Sequence, residues 1–253
     1  MDITRRAFLE TTTSIALAST LAATASAQDS AWRQIRAVAF DAFPILDPRP
    51  VFAACERLFP GRGTELAQHW RDRQFEYQWL RVAAGRYQDF WRVTQDALQH
   101  AALTLKIEIS QTQRDELMHE YLRLKCWPEV PNALRAPKDS GRKLAFLSNA
   151  TPQILQAGLR NSQLESLLDE VISTDRLKTY KPDPRAYELG TQVLHVKKEE
   201  ILFVAFAGWD VAGAKWFGYP VFWNNRTGAA VERLGQGPDA IGGTLDALVE
   251  LLV

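Results

Sequence analysis

Five short apolar runs, separated by segments of helical length, constrain the fold of this chain more than any other feature. The runs are rich in Val, Ile, Leu and Phe, and each ends at a polar or small residue: AVAFD (37–41), KLAFLSN (143–149), EVIST (170–174), ILFVAFAG (201–208) and PVFWNN (220–225). Such runs are typical of parallel strands buried on both faces. Segments 152–167, 183–195 and 210–217 have the length of helices, so strand and helix alternate. The alternation predicts an α/β fold with a doubly wound, mainly parallel, Rossmann-like sheet.

Residues 49–127 interrupt this alternation with helical pattern alone. The apolar residues that share one helix face are four, seven, three and four positions apart, namely Leu66, Trp70, Tyr77, Leu80 and Ala84. Similar pattern follows in 88–105 and 111–124, and proline-rich segments at 47–50 and 126–131 border the insert. We therefore expect a helical cap subdomain at 49–127, inserted into a core domain made of 32–48 and 128–253.

The first 27 residues have the pattern of an export signal. Arg5 and Arg6 stand side by side, a weakly apolar stretch rich in Ala, Ser and Thr follows, and the small triplet ASA (25–27) ends it. These features are typical of a twin-arginine signal peptide, which predicts cleavage after Ala27 and the bacterial periplasm as the destination. A short amphipathic leader or a membrane anchor is the alternative, but the stretch is shorter than the roughly eighteen apolar residues that a spanning helix needs. We therefore exclude 1–27 from the fold.

Charge and cysteine content narrow the classes of partner. The chain has 30 basic and 30 acidic side chains, so no large electrostatic field favours nucleic acid or an anionic membrane surface. Its two cysteines, Cys55 and Cys126, are too few for a disulfide framework or a zinc site. The sequence leaves open whether they form one bridge. A small molecule is therefore the expected partner.

Chemically capable side chains stand at the ends of the predicted strands. Asp41 ends the first run, Ser148 and Asn149 end the second, Lys181 follows the third, and Asp210 follows the fourth. Ligands of open α/β sheets bind outside the carboxyl ends of the strands, so these residues are candidates for a single site. Each has a structural alternative: a turn cap for Asp41, a turn position for Ser148, a solvated loop for Lys181 and a helix N-cap for Asp210.

The order of these residues along the chain resembles the four motifs of the haloacid dehalogenase superfamily. That order is an acid, a hydroxyl with an amide, a lysine and a second acid. Several longer segments resemble one branch of it, the L-2-haloacid dehalogenases, over most of residues 36–250: FPGRG (59–63), WRDRQFEYQWLRVAAGRYQDF (70–90), LSNATPQ (147–153), YKPDPRAYELG (180–190) and WDVAGAKWFGYPVFWNNRTG (209–228). The resemblance implies that Asp41 displaces halide from C2 of a short L-2-haloalkanoic acid, forming an ester that water cleaves to a 2-hydroxy acid.

The resemblance also bears on cofactors. A phosphatase of the superfamily would carry a second Asp in place of Phe43, to protonate its leaving group and help hold Mg²⁺. Hard cations need several oxygen ligands, and here the two loops concerned offer Phe43 and only Asp210. A halide leaves unprotonated, so the lone Asp41 suits attack on carbon. The implied chemistry uses no metal and no other cofactor.

Roles for the residues around Asp41 follow from the same resemblance. It implies that Lys181 keeps Asp41 ionised, that Asp210 orients Lys181 or the hydrolytic water, and that Ser148 binds the substrate carboxylate. The other implied site residues are Arg71 and Asn149 for the halide, Phe43, Phe75, Phe90 and Trp209 for an apolar wall, and Tyr187. The alternative for Arg71 is a solvated position on its helix, and the alternative for the aromatic residues is packing in the core.

Two departures from the family pattern leave the activity open. Pro44 and Ile45 stand where the family usually has Gly and Thr, which removes a backbone N–H and a hydroxyl. Ala205 and Ala207 replace a Ser and an Asn. The alternatives are a hydrolase of the same fold acting on another small carboxylic acid, or an exported binding protein that has lost the chemistry. Because relatives are commonly dimers, a homodimer through the helix at 66–84 is a further hypothesis.

Overall fold

A computed structural model describes residues 32–252, which form one parallel sheet flanked by helices. The strands are β1 (Ala37–Phe40), β2 (Lys143–Ser148), β3 (Glu170–Ser173), β4 (Ile201–Ala205), β5 (Val221–Asn224) and β6 (Ala240–Gly242). The helices are α1 (Ala42–Ile45), α2 (Arg49–Leu58), α3 (Gly63–Ala83), α4 (Phe90–Thr104), α5 (Gln111–Glu120), α6 (Val130–Asp139), α7 (Pro152–Ser162), α8 (Pro184–Leu194), α9 (Gly208–Phe217) and α10 (Asp246–Leu252). The predicted signal peptide lies outside the described residues.

The sheet order places the first strand at its centre. The strands lie in the order β3-β2-β1-β4-β5-β6, and every described pair is parallel. From β1 the chain adds β2 and then β3 on one side of the sheet, and from β4 it adds β5 and then β6 on the other side. The direction of winding therefore changes between β1 and β4. This switch point is where open α/β sheets bind ligands. The predicted α/β fold class is confirmed, and the residue that follows β1 lies at the switch point.

Both faces of the sheet are buried, as continuous apolar strands require. Val38 and Phe40 of β1 belong to one apolar core, and Ala37 and Ala39 belong to the other. All four side chains are fully buried. Because each side chain of this strand faces one of the two cores, a polar residue at any position would be buried, and the sequence of the strand is therefore apolar throughout.

Some element boundaries differ from the predicted ones. The apolar run 201–208 was expected to be strand throughout, but β4 ends at Ala205 and α9 begins at Gly208. The helix expected at 152–167 ends at Ser162, because Gln163 adopts the left-handed conformation with φ 56°. Strand β6 was not predicted. It has three residues at the sheet edge, too few for a period to show.

Helices α2 to α5 lie between α1 and α6, within the segment that joins β1 to β2. They share apolar contacts of their own, for example the edge-to-face packing of Trp70 with Tyr121 at 5.8 Å. The chain leaves and returns to the sheet at one place, where Leu46 and Cys126 form an antiparallel bridge. Two backbone hydrogen bonds flank this bridge, from Asp47 N to Lys125 O and from Trp127 N to Ile45 O. The crossing is therefore a narrow two-stranded connection.

Two general properties concern residues 32–252 only. None of the helices in this range is both long and apolar enough to cross a membrane. Cys55 and Cys126 are both free thiols, and burial raises the pKa of Cys55 to about 12.

Candidate active site

Asp41 lies at the end of the central strand, where two partners hold one of its carboxylate oxygens. Its backbone N–H bonds to Val204 O at 3.0 Å, which continues the pairing of β1 with β4. Oδ1 accepts hydrogen bonds from Ser148 Oγ and Lys181 Nζ, each at 3.0 Å. Asp41 occupies the N-cap position of α1, but its side chain makes no capping hydrogen bond. The carboxylate therefore faces the strand-end cluster instead of capping a turn.

Lys181 is a buried ammonium between two acids. Its side chain is 1% exposed, and Nζ lies 2.6 Å from Asp210 Oδ2 and 3.0 Å from Asp41 Oδ1. Tyr187 donates from its hydroxyl to the other oxygen of Asp210 at 2.7 Å. A loop lysine in solvent would show none of this, so that alternative is wrong for Lys181. The loops after β1, β3 and β4 converge on one charged group.

The electrostatics of this cluster favour a charged lysine. Burial alone would lower the pKa of Lys181, but the negative charges of Asp210 and Asp41 outweigh it and raise the pKa above its ordinary value. Burial also raises the pKa of Asp210 to about 6, with repulsion from Asp41 adding to this and Lys181 opposing it. The pKa of the Tyr187 hydroxyl is raised, because the group is buried and lies beside Asp210. Tyr187 is thus a neutral donor.

Asp210 lies within the first turn of α9 and does not cap it. The N-cap is Ala207, and Asp210 N donates to Ala207 O at 3.1 Å. The alternative of a helix N-cap for Asp210 is therefore wrong by three residues. A carboxylate in the first helical turn still interacts favourably with the helix dipole. Both of its oxygens are occupied by Lys181 and Tyr187.

Asn149 joins three parts of the molecule. Its Oδ1 accepts from Lys181 N at 2.8 Å and from Thr174 Oγ1 at 3.3 Å. Its Nδ2 donates to Gln78 Oε1 at 2.9 Å. The strand-end loop of β2 is thereby linked to the lysine loop and to helix α3. Neighbouring Ser148 accepts a weaker bond from Ala150 N at 3.3 Å while its hydroxyl donates to Asp41.

Helix α3 presents an aromatic and cationic face to the start of α9. Phe75 packs edge-to-face on Trp209 with ring centroids 5.4 Å apart, and Trp79 does the same at 5.6 Å. The Arg71 guanidinium lies 5.5 Å from the Phe75 ring and forms no ion pair with any described residue. Trp209 Nε1 is buried without a hydrogen-bond partner in residues 32–252. This face holds donors that the fold itself leaves unused.

A cavity of about 680 Å³ lies against this face. Of the predicted wall residues, Phe43, Phe75 and Trp209 line it, together with Arg71. Asp41 and Lys181 lie outside its lining. Phe206, which lies between Ala205 and Ala207, packs on Phe43 at 5.9 Å and forms part of the same wall.

Phe90 is placed differently from the expectation. It is 4% exposed and lies inside the helical segment, where it packs at 5.9 Å on Tyr121, a lining residue of the cavity, without lining the cavity itself. The first residue of α4, following the N-cap Asp89, points toward the interior of the helices. Packing is thus the role that the structure gives this side chain.

Three further residues around the site were not predicted. Trp127 Nε1 donates to Phe43 O at 2.9 Å, and Arg226 Nη2 donates to Pro44 O at 3.2 Å. Together they hold the backbone just after Asp41. Arg226 follows the fifth apolar run, so its position at a strand end was a usable signal. Trp127 and Gln78 lie in the helical insert and carried no such signal.

No group of three or more His, Cys, Asp or Glu side chains that could hold a metal ion occurs in the described part of the chain. The two acids nearest each other at the strand ends, Asp41 and Asp210, have the Lys181 ammonium between them.

Comparisons with known proteins relate the chain to dehalogenases. The model of the haloacid dehalogenase-like hydrolase family matches residues 17–218. The chain is 42% identical to haloacetate dehalogenase H-2 of Moraxella sp. (strain B) over 221 residues, covering 87% of this chain and 99% of that protein. It is also 42% identical to the (S)-2-haloacid dehalogenase of Pseudomonas sp. (strain YL) over 218 residues, covering 86% and 94%. A structure of the Xanthobacter autotrophicus L-2-haloacid dehalogenase with chloropropionic acid covalently bound superposes with a TM-score of 0.79 at 36% identity, covering 86% of this chain and 98% of that one.

Proposed function

The chain belongs to the haloacid dehalogenase-like hydrolase family, and we propose that it hydrolyses short L-2-haloalkanoic acids to 2-hydroxy acids through an ester on Asp41. The observation that carries the proposal is the setting of Asp41: a strand-end carboxylate bonded to a buried ammonium, with Phe43 where a second acid would stand. A relative from Xanthobacter autotrophicus has been captured with chloropropionic acid covalently bound.

The first step is displacement at carbon by Asp41. Ser148 and Lys181 hold Oδ1, whereas Oδ2 accepts no hydrogen bond from the described residues and is the oxygen free to attack. An electron pair of Oδ2 forms the bond to C2 of the substrate while the carbon–halogen bond breaks. The halide leaves with the bonding pair and takes no proton. An acid at position 43 would therefore have no leaving group to protonate.

The second step regenerates the carboxylate. Water attacks Cγ of Asp41, and the bond from Cγ to the substrate oxygen breaks. The 2-hydroxy acid carries away the former Oδ2, Asp41 keeps an oxygen from water, and one proton is released to solvent. Asp210 holds the Lys181 ammonium next to Asp41 throughout, so the negative charge that develops on the ester oxygen is stabilised.

Recognition of substrate and halide uses the remaining residues. Ser148 lies beside Asp41, and its single hydroxyl hydrogen turns from Asp41 Oδ1 to the substrate carboxylate when substrate binds, while Lys181 continues to hold Oδ1. Backbone N–H groups after Asp41 also bond the substrate carboxylate. Arg71, which lines the cavity and has no ion pair with residues 32–252, supplies a cation for the departing halide. Asn149 contributes an amide donor. The apolar side chains of Phe43 and Trp209 exclude water from the reacting carbon.

Oxygen labelling tests this proposal directly. A single turnover of 2-chloropropionate in water enriched in oxygen-18 should place the label on Asp41, as mass spectrometry of the peptide containing it would show. Asp41→Asn should abolish halide release. Asp47→Asn, which alters an acid paired with exposed Arg49, is the matched control and should retain activity.

Other outcomes would select the alternatives. Release of halide with the label only in the product would contradict the ester on Asp41. Binding of 2-chloropropionate without turnover would indicate a protein that has lost the chemistry, and turnover of a different carboxylic acid alone would indicate another hydrolase of this fold.

We also propose that the protein is exported to the periplasm by the twin-arginine route. The support is the pattern of residues 1–27, with paired Arg5 and Arg6 and a small-residue end. In a bacterial host, the wild-type chain should be recovered from the periplasmic fraction without its first 27 residues. Replacing both arginines by lysine should retain it in the cytoplasm. Export of that double variant at the wild-type level would contradict the proposal.

A homodimer through α3 is the remaining proposal about assembly. Its support is the exposure of large apolar side chains on this helix, with Leu80 62% and Trp79 38% exposed. Sedimentation should give twice the mass of one chain, and Leu80→Glu should shift it to the mass of one. A wild-type protein that sediments as a monomer at all concentrations would contradict this.

A further inference from the structure

Gln78 is a buried amide of helix α3 whose donor group is unused. Its side chain is fully buried, and its Oε1 accepts from Asn149 Nδ2 at 2.9 Å. Its Nε2 is buried and has no hydrogen-bond partner within residues 32–252. A buried donor without a partner costs folding free energy, so such a group calls for an explanation.

The hydrogen-bond network fixes which end of the amide is the donor. Lys181 N and Thr174 Oγ1 both donate to Asn149, so the atom they reach must be its oxygen. The opposite atom of Asn149 is then nitrogen and must donate to Gln78. The atom of Gln78 that it meets is therefore Oε1. An exchange of nitrogen and oxygen in Gln78 would set two donors against each other.

Another buried glutamine on the same helix shows what full pairing looks like. Gln74 lies one turn earlier, is 4% exposed, and donates from Nε2 to Thr94 Oγ1. Thr94 in turn donates to Phe90 O at 2.6 Å. The helices thus supply a partner for Gln74 and none for the donor of Gln78. Burial on this helix does not by itself explain the orphan group.

The position of Gln78 connects it with two residues assigned to the halide. Arg71, Phe75 and Gln78 are four and three positions apart, so they share one face of α3. This face meets the core domain, since Phe75 packs on Trp209 and Gln78 bonds Asn149. Arg71 has no ion pair with a described residue, and Asn149 Nδ2 carries a second hydrogen beyond the one given to Gln78. Within residues 32–252, the groups of Arg71, Gln78 and Asn149 that this face leaves without a partner are donors.

We propose that Gln78 is a further halide-binding residue, whose Nε2 donates to the halide as it leaves C2. The inference rests on the proposed dehalogenase function and adds a group to it. A halide ion accepts hydrogen bonds and donates none, so it complements a place where an amide and a guanidinium have unused N–H groups. Asp41 Oδ2 forms the bond to C2 while the carbon–halogen bond breaks, and Gln78 forms no covalent bond but stabilises the charge that the halide acquires.

Substitution of Gln78 tests the inference through the dependence on the leaving group. Gln78→Met keeps the length of the side chain and removes the donor. The loss of one hydrogen bond to a charged group predicts a fall in kcat/KM of about tenfold for 2-chloropropionate. The fall should be smaller for 2-bromopropionate, because chloride is the poorer leaving group and depends more on stabilisation. Inhibition by added bromide should weaken by about the same factor.

Thr94→Val is the matched control. It removes a fully buried polar group from the neighbouring helix α4, outside the lining of the cavity, and should lower Tm without changing the ratio of chloro to bromo substrate. A purely structural role for Gln78 would likewise lower Tm and reduce kcat/KM for both substrates equally, and that result would overturn the inference.

Direct halide binding separates failure of the inference from failure of the proposed function. Crystals soaked in bromide should show an anomalous peak in contact with Gln78 Nε2 in the wild type and none there in Gln78→Met. If the wild type releases no halide from any 2-haloacid, the proposed function fails, whatever this peak shows. If turnover is normal and bromide lies away from Gln78, only the present inference fails.

Discussion

The strand-end cluster and the face of helix α3 differ in how far the fold satisfies their polar groups. In the cluster of Asp41, Lys181, Asp210 and Tyr187, each charged group is bonded to another member. On the helix face the fold provides no ion pair for Arg71 and no partner for two buried donors of the described chain, Gln78 Nε2 and Trp209 Nε1. The first region is complete before substrate arrives, and the second has capacity left for an anion.

The difference indicates that the two regions have different functions, the cluster in the bond-forming chemistry and the helix face in binding the halide. A buried ammonium between two carboxylates must be placed by rigid strands, because a small shift would leave charges unpaired in a medium of low dielectric constant. Donors for a departing halide are needed only while the halide is there. A helix that packs on the core through aromatic contacts can supply them. We therefore expect substitutions in the cluster to abolish chemistry and those on the helix to change the leaving-group step.

The largest effect is expected for Lys181. Lys181→Met should lower kcat by about 10³-fold, since both the attack and the ester hydrolysis lose the adjacent positive charge. It should also lower the free energy of unfolding by about 3–5 kcal/mol, because Asp210 is left buried without its ion-pair partner. Stopped-flow halide release and chemical denaturation would measure the two effects.

Lys178→Met is the control for this substitution. Lys178 lies three residues away, is 65% exposed on its side chain, and pairs with Asp175 at 3.0 Å. Its loss should leave kcat unchanged and alter stability by less than about 1 kcal/mol. Equal losses in the two lysine variants would remove the distinction between cluster and surface.

The next effect concerns the cation of the helix face. Arg71→Leu should lower kcat/KM by about 10²-fold, the loss typical of one group that stabilises developing charge. Arg73→Leu is the matched control, because Arg73 is on the same helix and is paired with Glu76 at 2.6 Å. It should change kcat/KM less than about twofold, as for other surface ion pairs. Similar kinetics in both variants would show that Arg71 has no contact with the halide.

The sequence predicted the cluster better than it predicted the helix face. Asp41, Asn149 and Lys181 stand at strand ends, and parallel strands bring their carboxyl ends together whatever the details of packing. The position of Phe90 depended on which way one helix turns, and a shift of one residue on a helix rotates a side chain by about 100°. The pairing of Gln78 depended on contact between elements far apart in the chain, for which a single sequence has no signal.

A smaller effect should appear as a dependence on pH. Burial raises the pKa of Asp210 to about 6, so the carboxyl gains a proton as pH falls through this value and Lys181 loses its buried counterion. kcat should therefore fall below pH 6 by up to about tenfold per pH unit. Asp210→Asn should remove this acidic limb and have lower activity at pH 7.

The direction of the stability change separates this effect from acid unfolding. The pKa of Asp210 is higher in the folded protein than in the unfolded chain, where an Asp has a pKa of about 3.9. Protonation of Asp210 therefore stabilises the fold at pH values below about 3.9, and this stabilisation is lost as pH rises through the folded pKa. The chain should therefore lose activity near pH 5 with its circular dichroism spectrum intact. Unfolding that coincides with the loss of activity would contradict the assignment to Asp210.

The smallest effect is expected where the two regions meet, at Phe206. Its ring packs on Phe43 in the wall of the cavity, and it lies between Ala205 and Ala207, which stand where the family has a Ser and an Asn. Phe206→Ser should leave the buried bonds of Lys181 intact, so kcat for 2-chloropropionate should change less than about threefold. The lost apolar area should raise KM for 2-haloacids with longer alkyl chains by about tenfold, because one lost ring contact with its burial is worth about 1–2 kcal/mol. Phe206→Leu, which keeps an apolar side chain, is the control and should restore most of that binding. An equal rise in KM for short and long substrates would show that Phe206 acts on the carboxylate end, in the cluster and not in the apolar wall.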